Sequence, residues 1–119
     1  MLRTATVLFA LTAGGGLLLA GVRFFTNREP PSLIAMGHGF IAASAITLLL
    51  YAFATVGLPS LAVWALVLFL IASLGGVVLN LKYHMNHVRL PKWLIGVHAS
   101  AAVAGFLLLV AASWMTPIA

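Results

Sequence analysis

The sequence predicts an all-α integral-membrane protein, a four-helix up-down-up-down bundle made of two tandem repeated helical hairpins. Composition is the first sign. Of 119 residues, 64% are hydrophobic and 6% charged, and a mean hydropathy of +1.21 leaves too little polar surface for a water-soluble globule. The second is a set of four apolar stretches, roughly residues 4–22, 33–56, 60–81 and 93–115. Each is close to the ~20 residues that cross a ~30 Å hydrocarbon core as a helix. The third is a repeat at a constant shift of 60 residues: Pro31-Ser-Leu-Ile-Ala-Met-Gly-His38 aligns with Pro91-Lys-Trp-Leu-Ile-Gly-Val-His98, Val7-Leu8-Phe9 with Val67-Leu68-Phe69, and Gly15-Gly16 with Gly75-Gly76. Hairpins over about 4–57 and 60–117 therefore form one transmembrane domain, 1–119, with no room for a separate soluble domain.

The first stretch begins Met1-Leu2-Arg3, which resembles the basic start of a secretory signal. It shares Val-Leu-Phe and Gly-Gly in register with the third stretch, so it reads as the first helix of the first hairpin. The second stretch starts after Pro30-Pro31 and carries His38, and an uncharged turn, Thr55-Val-Gly-Leu-Pro-Ser60, leads to the third. There the repeat breaks at Lys82-Tyr-His-Met-Asn-His-Val-Arg89, because Phe24 and Asn27 stand where His84 and His87 would be matched. The fourth stretch follows Pro91 and carries His98. Trp64, Trp93 and Trp114 sit near span ends, as interfacial anchors do.

Charge orients the bundle. Arg23, Arg28, Lys82, Arg89 and Lys92 fall in the two connections of one face, against Arg3 alone on the other. The positive-inside rule then makes the Arg-rich face cytoplasmic and puts both termini outside, in an inner (cytoplasmic) membrane. Topology accounts for the net charge of +5 and the pI of about 11.0, so nucleic acid is excluded as a partner, and contact with anionic lipid headgroups is expected but unspecific. Without cysteine there is no disulfide, iron–sulfur cluster, thioether-linked haem or thiolate nucleophile. Glu29 is the one acid, so paired-carboxylate chemistry is absent and no catalytic residue is assigned.

Histidine remains. His38 and His98 each come seven residues after a proline at a helix entrance, about 10 Å deep at ~1.5 Å per residue. They belong to the second and fourth helices, which are diagonal in such a bundle, so pseudo-symmetry points both imidazoles at the central axis. A flat tetrapyrrole between them would have its metal held by both rings. Ala42 and Ala45, with Ala102 and Gly105, follow on the same faces and leave space beside such a group. Gly15, Gly16, Gly75 and Gly76 lie near the middle of the first and third spans, where a missing side chain admits a bulky planar neighbour. Both observations have plainer readings: histidines that hydrogen-bond between helices, and glycines that serve ordinary membrane-helix packing.

Histidines on helices two and four with glycines on helices one and three resemble the four-helix haem bundle of membrane b-type cytochromes, including cytochrome b of the quinol:cytochrome c oxidoreductases and small quinol-linked b cytochromes. The resemblance covers the architecture of the whole chain; its motif is His38 and His98 with the four glycines. It implies one haem b with His38 and His98 on the iron, electron transfer as the activity, and a quinone or a partner membrane redox protein as the exchange partner. Those families also ligate a second haem near the opposite face, where this sequence has no histidine. His84, His87 and Arg89 are then candidates for contact with haem propionates or a quinone headgroup, beside the plainer reading as interfacial polar residues. The alternative function is a non-catalytic accessory or pigment-binding subunit of a larger respiratory or photosynthetic complex. Association as a homo-oligomer fits either.

Overall fold

In the computed structural model, which describes residues 1–115 and 117, the chain is an all-α bundle of four helices. They are α1 (Leu2–Phe25), α2 (Ser32–Thr55), α3 (Ser60–Val78) and α4 (Lys92–Met115), with α3 prolonged by a wide π-helical turn over Leu79–His84. All four are long and apolar enough to cross a membrane. Of the uncharged C-terminal residues Thr116-Pro-Ile-Ala119, Thr116, Ile118 and Ala119 lie outside the described residues. Large apolar side chains such as Leu17, Leu33, Phe40 and Leu74 face outward all round the bundle, as expected where lipid is the solvent.

Proline sets three of the helix starts. The carbonyls of Pro31, Pro59 and Pro91 accept from the N–H groups of Ala35, Val63 and Ile95, so each proline ends an extended segment and opens a helix at the next residue. A proline there sacrifices no hydrogen bond, since the N–H it lacks would lie outside the helical ladder. The turn after α2 needs a left-handed residue, supplied by Gly57 at φ +77°.

Within each hairpin the helices pack most extensively, α1 on α2 and α3 on α4; α1 also touches α4, and α2 touches α3 less. The buried residues repeat at the same shift as the sequence: Ala5 with Ala65, Phe9 with Phe69, Ala45 with Gly105, Leu49 with Leu109 and Ala52 with Ala112. Alanine dominates because membrane helices gain from close backbone approach, lipid being as apolar as leucine. Phe9 and Phe69, from the diagonal pair α1 and α3, meet on the pseudo-two-fold axis with ring centres 3.6 Å apart and planes within 6°. Together these residues close the half of the bundle nearer the termini.

Gly105 belongs to that closed half. A Cβ there would lie 3.2 Å from Phe69 Cε1 and 3.3 Å from the Ala65 carbonyl oxygen, so its absence lets α4 approach α3 rather than opening space for a ligand. Gly105→Val should therefore lower stability by about 1–3 kcal/mol, the usual range for overpacking a tight core, read as thermal unfolding in detergent. Gly96→Val, with nothing within 4 Å of its added Cβ, is the matched control.

Candidate functional site

Burial changes abruptly along the bundle. On one side of a level marked by Thr12, Ala45, Ala72 and Gly105 the inward stripe of every helix is buried; on the other the same stripes are half-exposed. Gly15, Gly16 and Leu19 of α1, Ile34, His38 and Ala42 of α2, Gly75, Gly76 and Leu79 of α3, and Leu94, His98 and Ala102 of α4 are all in this state. The hairpins are therefore less closely packed in the half that holds the histidines, and the partly exposed space between them there forms a slot. Roughly 16 Å of helix rise lies between Thr12 and Arg23, which is buried again at the loop end.

His38 and His98 face each other across this slot. Their ring centres are 6.2 Å apart and their planes cross at 72°. Each ring is fixed from behind by the other helix of its own hairpin: His38 Nδ1 lies 2.9 Å from the Thr12 carbonyl oxygen, and His98 Nδ1 lies 2.7 Å from that of Ala72. A carbonyl can only accept, so Nδ1 carries the proton, and in the neutral ring Nε2 keeps its lone pair. Among the described residues, neither Nε2 has a hydrogen-bond partner.

The glycines explain how the rings reach those carbonyls. A Cβ on Gly16 would stand 3.0 Å from His38 Cε1, and one on Gly76 would stand 3.2 Å from His98 Cε1. Gly15 and Gly75 present the same bare surface to the histidine Cβ atoms, at 3.6 and 3.5 Å. Each glycine is therefore filled by imidazole. The neighbours of these four glycines are thus the two histidine rings, while Gly14 faces outward with nothing nearby. Ala42 and Ala102 lie half-exposed on the slot, as their spacing predicts; Ala45 is fully buried in the closed half with Gly105.

This donor set fits a metal held between two imidazoles. The 6.2 Å between ring centres leaves room for one metal that both imidazoles would hold through bonds of ~2 Å. The Nδ1–H to carbonyl bonds are the second contacts that metal-ligating histidines need, fixing tautomer and ring orientation. Among the described residues no cluster of three or more histidine, cysteine, aspartate or glutamate side chains exists to hold a bare metal ion. A metal brought in by its own macrocycle would need from the chain only the two imidazoles of His38 and His98.

His84 and His87 are elsewhere. They line a cleft of about 240 Å³ at the loop end with Glu29, Pro30, Pro31, Ser32 and Val88, and neither of the paired histidines is in its wall. The π-turn puts them there: Met85 N–H donates to Asn80 O and Val88 N–H to Tyr83 O, five residues back in each case, and His87 closes the turn at φ +55°. Such wide turns recur at functional positions. The first hairpin has none, since α1 continues as regular helix to Phe25. Arg89 is exposed and faces Glu29, with 3.8 Å between Nε and Oε1.

Two features escape a reading of the sequence. Arg23 counts there as one more positive charge, yet it is buried, with its Nε donating to the Leu90 carbonyl at 3.0 Å. The Phe9–Phe69 stack that seals the slot was signalled only by the repeated Val-Leu-Phe. Comparison with protein-family models, with curated proteins and with solved structures finds no match for this chain.

Proposed function

We propose that the protein is a small membrane b-type cytochrome, an electron-transfer protein or subunit with one haem b between His38 and His98. The observation that carries this reading is the facing imidazole pair, 6.2 Å between ring centres, with both Nδ1 protons committed to backbone carbonyls and both Nε2 atoms free. In the neutral tautomer fixed by these bonds each Nε2 keeps the lone pair that a metal would take. When bound, the haem supplies one-electron redox chemistry. The chain's part would be to present the two imidazoles that hold the group, to keep both rings in one tautomer through Thr12 O and Ala72 O, and to exclude water from one side with the Phe9–Phe69 stack.

In this reading the bundle lies in the inner (cytoplasmic) membrane, with Arg28, Lys82, Arg89 and Lys92 at the cytoplasmic face and both termini outside. Electrons come from a quinol or an adjacent redox subunit. The cleft lined by His84 and His87 is the docking place for a quinol headgroup, since it combines proline and valine walls with hydrogen-bonding imidazoles and is too small for a tetrapyrrole. The test is stopped-flow mixing of the purified protein with a short-chain quinol analogue. Reduction of the wild type should be fast, and His84→Ala and His87→Ala should each slow it while leaving the haem spectrum intact. Equal rates in all three proteins would remove the cleft from the account, and an unreactive wild type would make the donor a partner protein.

A further inference from the structure

The two hairpins are tied together at the loop end through one residue of the second, Leu90. Arg23 Nε donates to the Leu90 carbonyl at 3.0 Å, and Glu29 Oε2 accepts the Leu90 N–H at 3.4 Å, so first-hairpin side chains take both polar groups of that residue. Glu29 Oε1 lies 3.7 Å from Arg23 Nε and 3.8 Å from Arg89 Nε, which places the one carboxylate of the chain between two guanidiniums. Arg23 and Leu90 are each only 8% exposed. A buried arginine that loses its partners is strongly destabilising, so the Arg23–Leu90 contact is unlike an exposed ion pair, whereas the Glu29 side chain is 38% exposed.

The repeat does not supply this clasp twice. Sixty residues away from Arg23, Glu29 and Leu90 stand Tyr83, Arg89 and Pro30, and proline has no N–H to offer. The clasp also lies where the packing is weakest. The closed core ends at Phe9 and Phe69, and the other polar tie between hairpins among the described residues, Thr6 Oγ1 to Ser113 Oγ at 2.6 Å, is at the opposite end. Between the core and the loops the hairpins face each other across the slot.

Both histidines are fixed to elements that the clasp joins. Thr12, which holds the His38 ring, is on α1 with Arg23; Leu90 directly precedes Pro91, which opens α4, and His98 follows on that helix. We propose that Arg23 and Glu29 are positioning residues that set the separation of His38 and His98 by locking the start of α4 against the end of α1. The spectroscopic part of this inference rests on the haem reading; the geometric part does not.

The absence of native cysteine allows nitroxide labels at Leu33→Cys on α2 and Val97→Cys on α4, both outward-facing, with the distance read by pulsed electron paramagnetic resonance in detergent or nanodiscs. The expected result is a single narrow distribution in the otherwise wild-type chain, and a broader one shifted to longer distance with Glu29→Ala. Glu29→Gln, which keeps an acceptor for the Leu90 N–H, should stay close to the wild type. If Glu29→Ala fails to insert, Arg23→Lys decides: lacking the planar fork of guanidinium, it should give an intermediate broadening. In haem-loaded protein Glu29→Ala should convert part of the low-spin signal to high spin as one imidazole loses reach. Unchanged distances in Glu29→Ala, or in Arg23→Lys where that variant decides, would overturn the proposal. A wild type that takes up no haem refutes the haem reading alone, because the distance measurement still judges the clasp.

Discussion

His38→Ala and His98→Ala are each expected to abolish the six-coordinate low-spin haem signal of the oxidised protein. The two rings enter from diagonal helices with 6.2 Å between their centres, which leaves room for one metal that both would hold. Among the described residues no second donor stands ready in the slot: Gly16 and Gly76 carry no side chain, and His84 and His87 line a different cleft. Loss of one ring should leave a five-coordinate high-spin remnant or no haem at all. Electron paramagnetic resonance of the two variants, with haem content measured on the same samples, distinguishes these results from a retained low-spin site. Retention in both would end the bis-histidine assignment.

Gly16→Leu and Gly76→Leu should displace haem nearly as effectively although neither residue is a ligand. A Cβ alone would stand 3.0 Å from His38 Cε1 or 3.2 Å from His98 Cε1, and the rest of a leucine side chain must occupy the volume that the imidazole fills. The ring would then leave its carbonyl, Thr12 O or Ala72 O, and with it the tautomer and orientation that this bond fixes. Overpacking of this kind costs about 1–3 kcal/mol, which as lost haem affinity is roughly a factor of 5 to 150. Gly14→Leu is the control, since that position meets nothing within 4 Å and points outward. Haem titration of the apoproteins measures the effect. If Gly16→Leu unfolds haem-free protein as severely as it lowers haem affinity, the glycine serves helix packing in general rather than the histidine ring.

Much of this arrangement is legible in the sequence because duplication doubles each signal. His38 and His98 acquire meaning from their shared place after Pro31 and Pro91, and the same shift brings out Gly15-Gly16 with Gly75-Gly76. Helix starts follow from the prolines, and the four spans from hydropathy, within about three residues of the helix bounds. What the sequence hides is contact between side chains and backbone across helices. Nothing in periodicity shows that the glycines admit imidazoles to the carbonyls of Thr12 and Ala72, because the acceptor is main chain and has no residue identity. The π-turn of Leu79–His84 is equally hidden, since its apolar and polar positions suit a regular helix until His87 closes it in a left-handed conformation. Arg23 misleads for a third reason: charge counting assigns it to water, whereas its hydrogen-bond acceptor, the Leu90 carbonyl, comes from a loop nearly seventy residues away.

The most direct measurement of the central claim is the absorption spectrum of the wild-type protein, purified from cells supplied with haem precursor, together with its ratio of haem to chain. A single low-spin b-type haem per chain, with a sharp reduced-minus-oxidised difference band, is the predicted result. Protein that is colourless after haem-replete expression, or that carries two pigments per chain, would contradict a site in which two imidazoles share one metal.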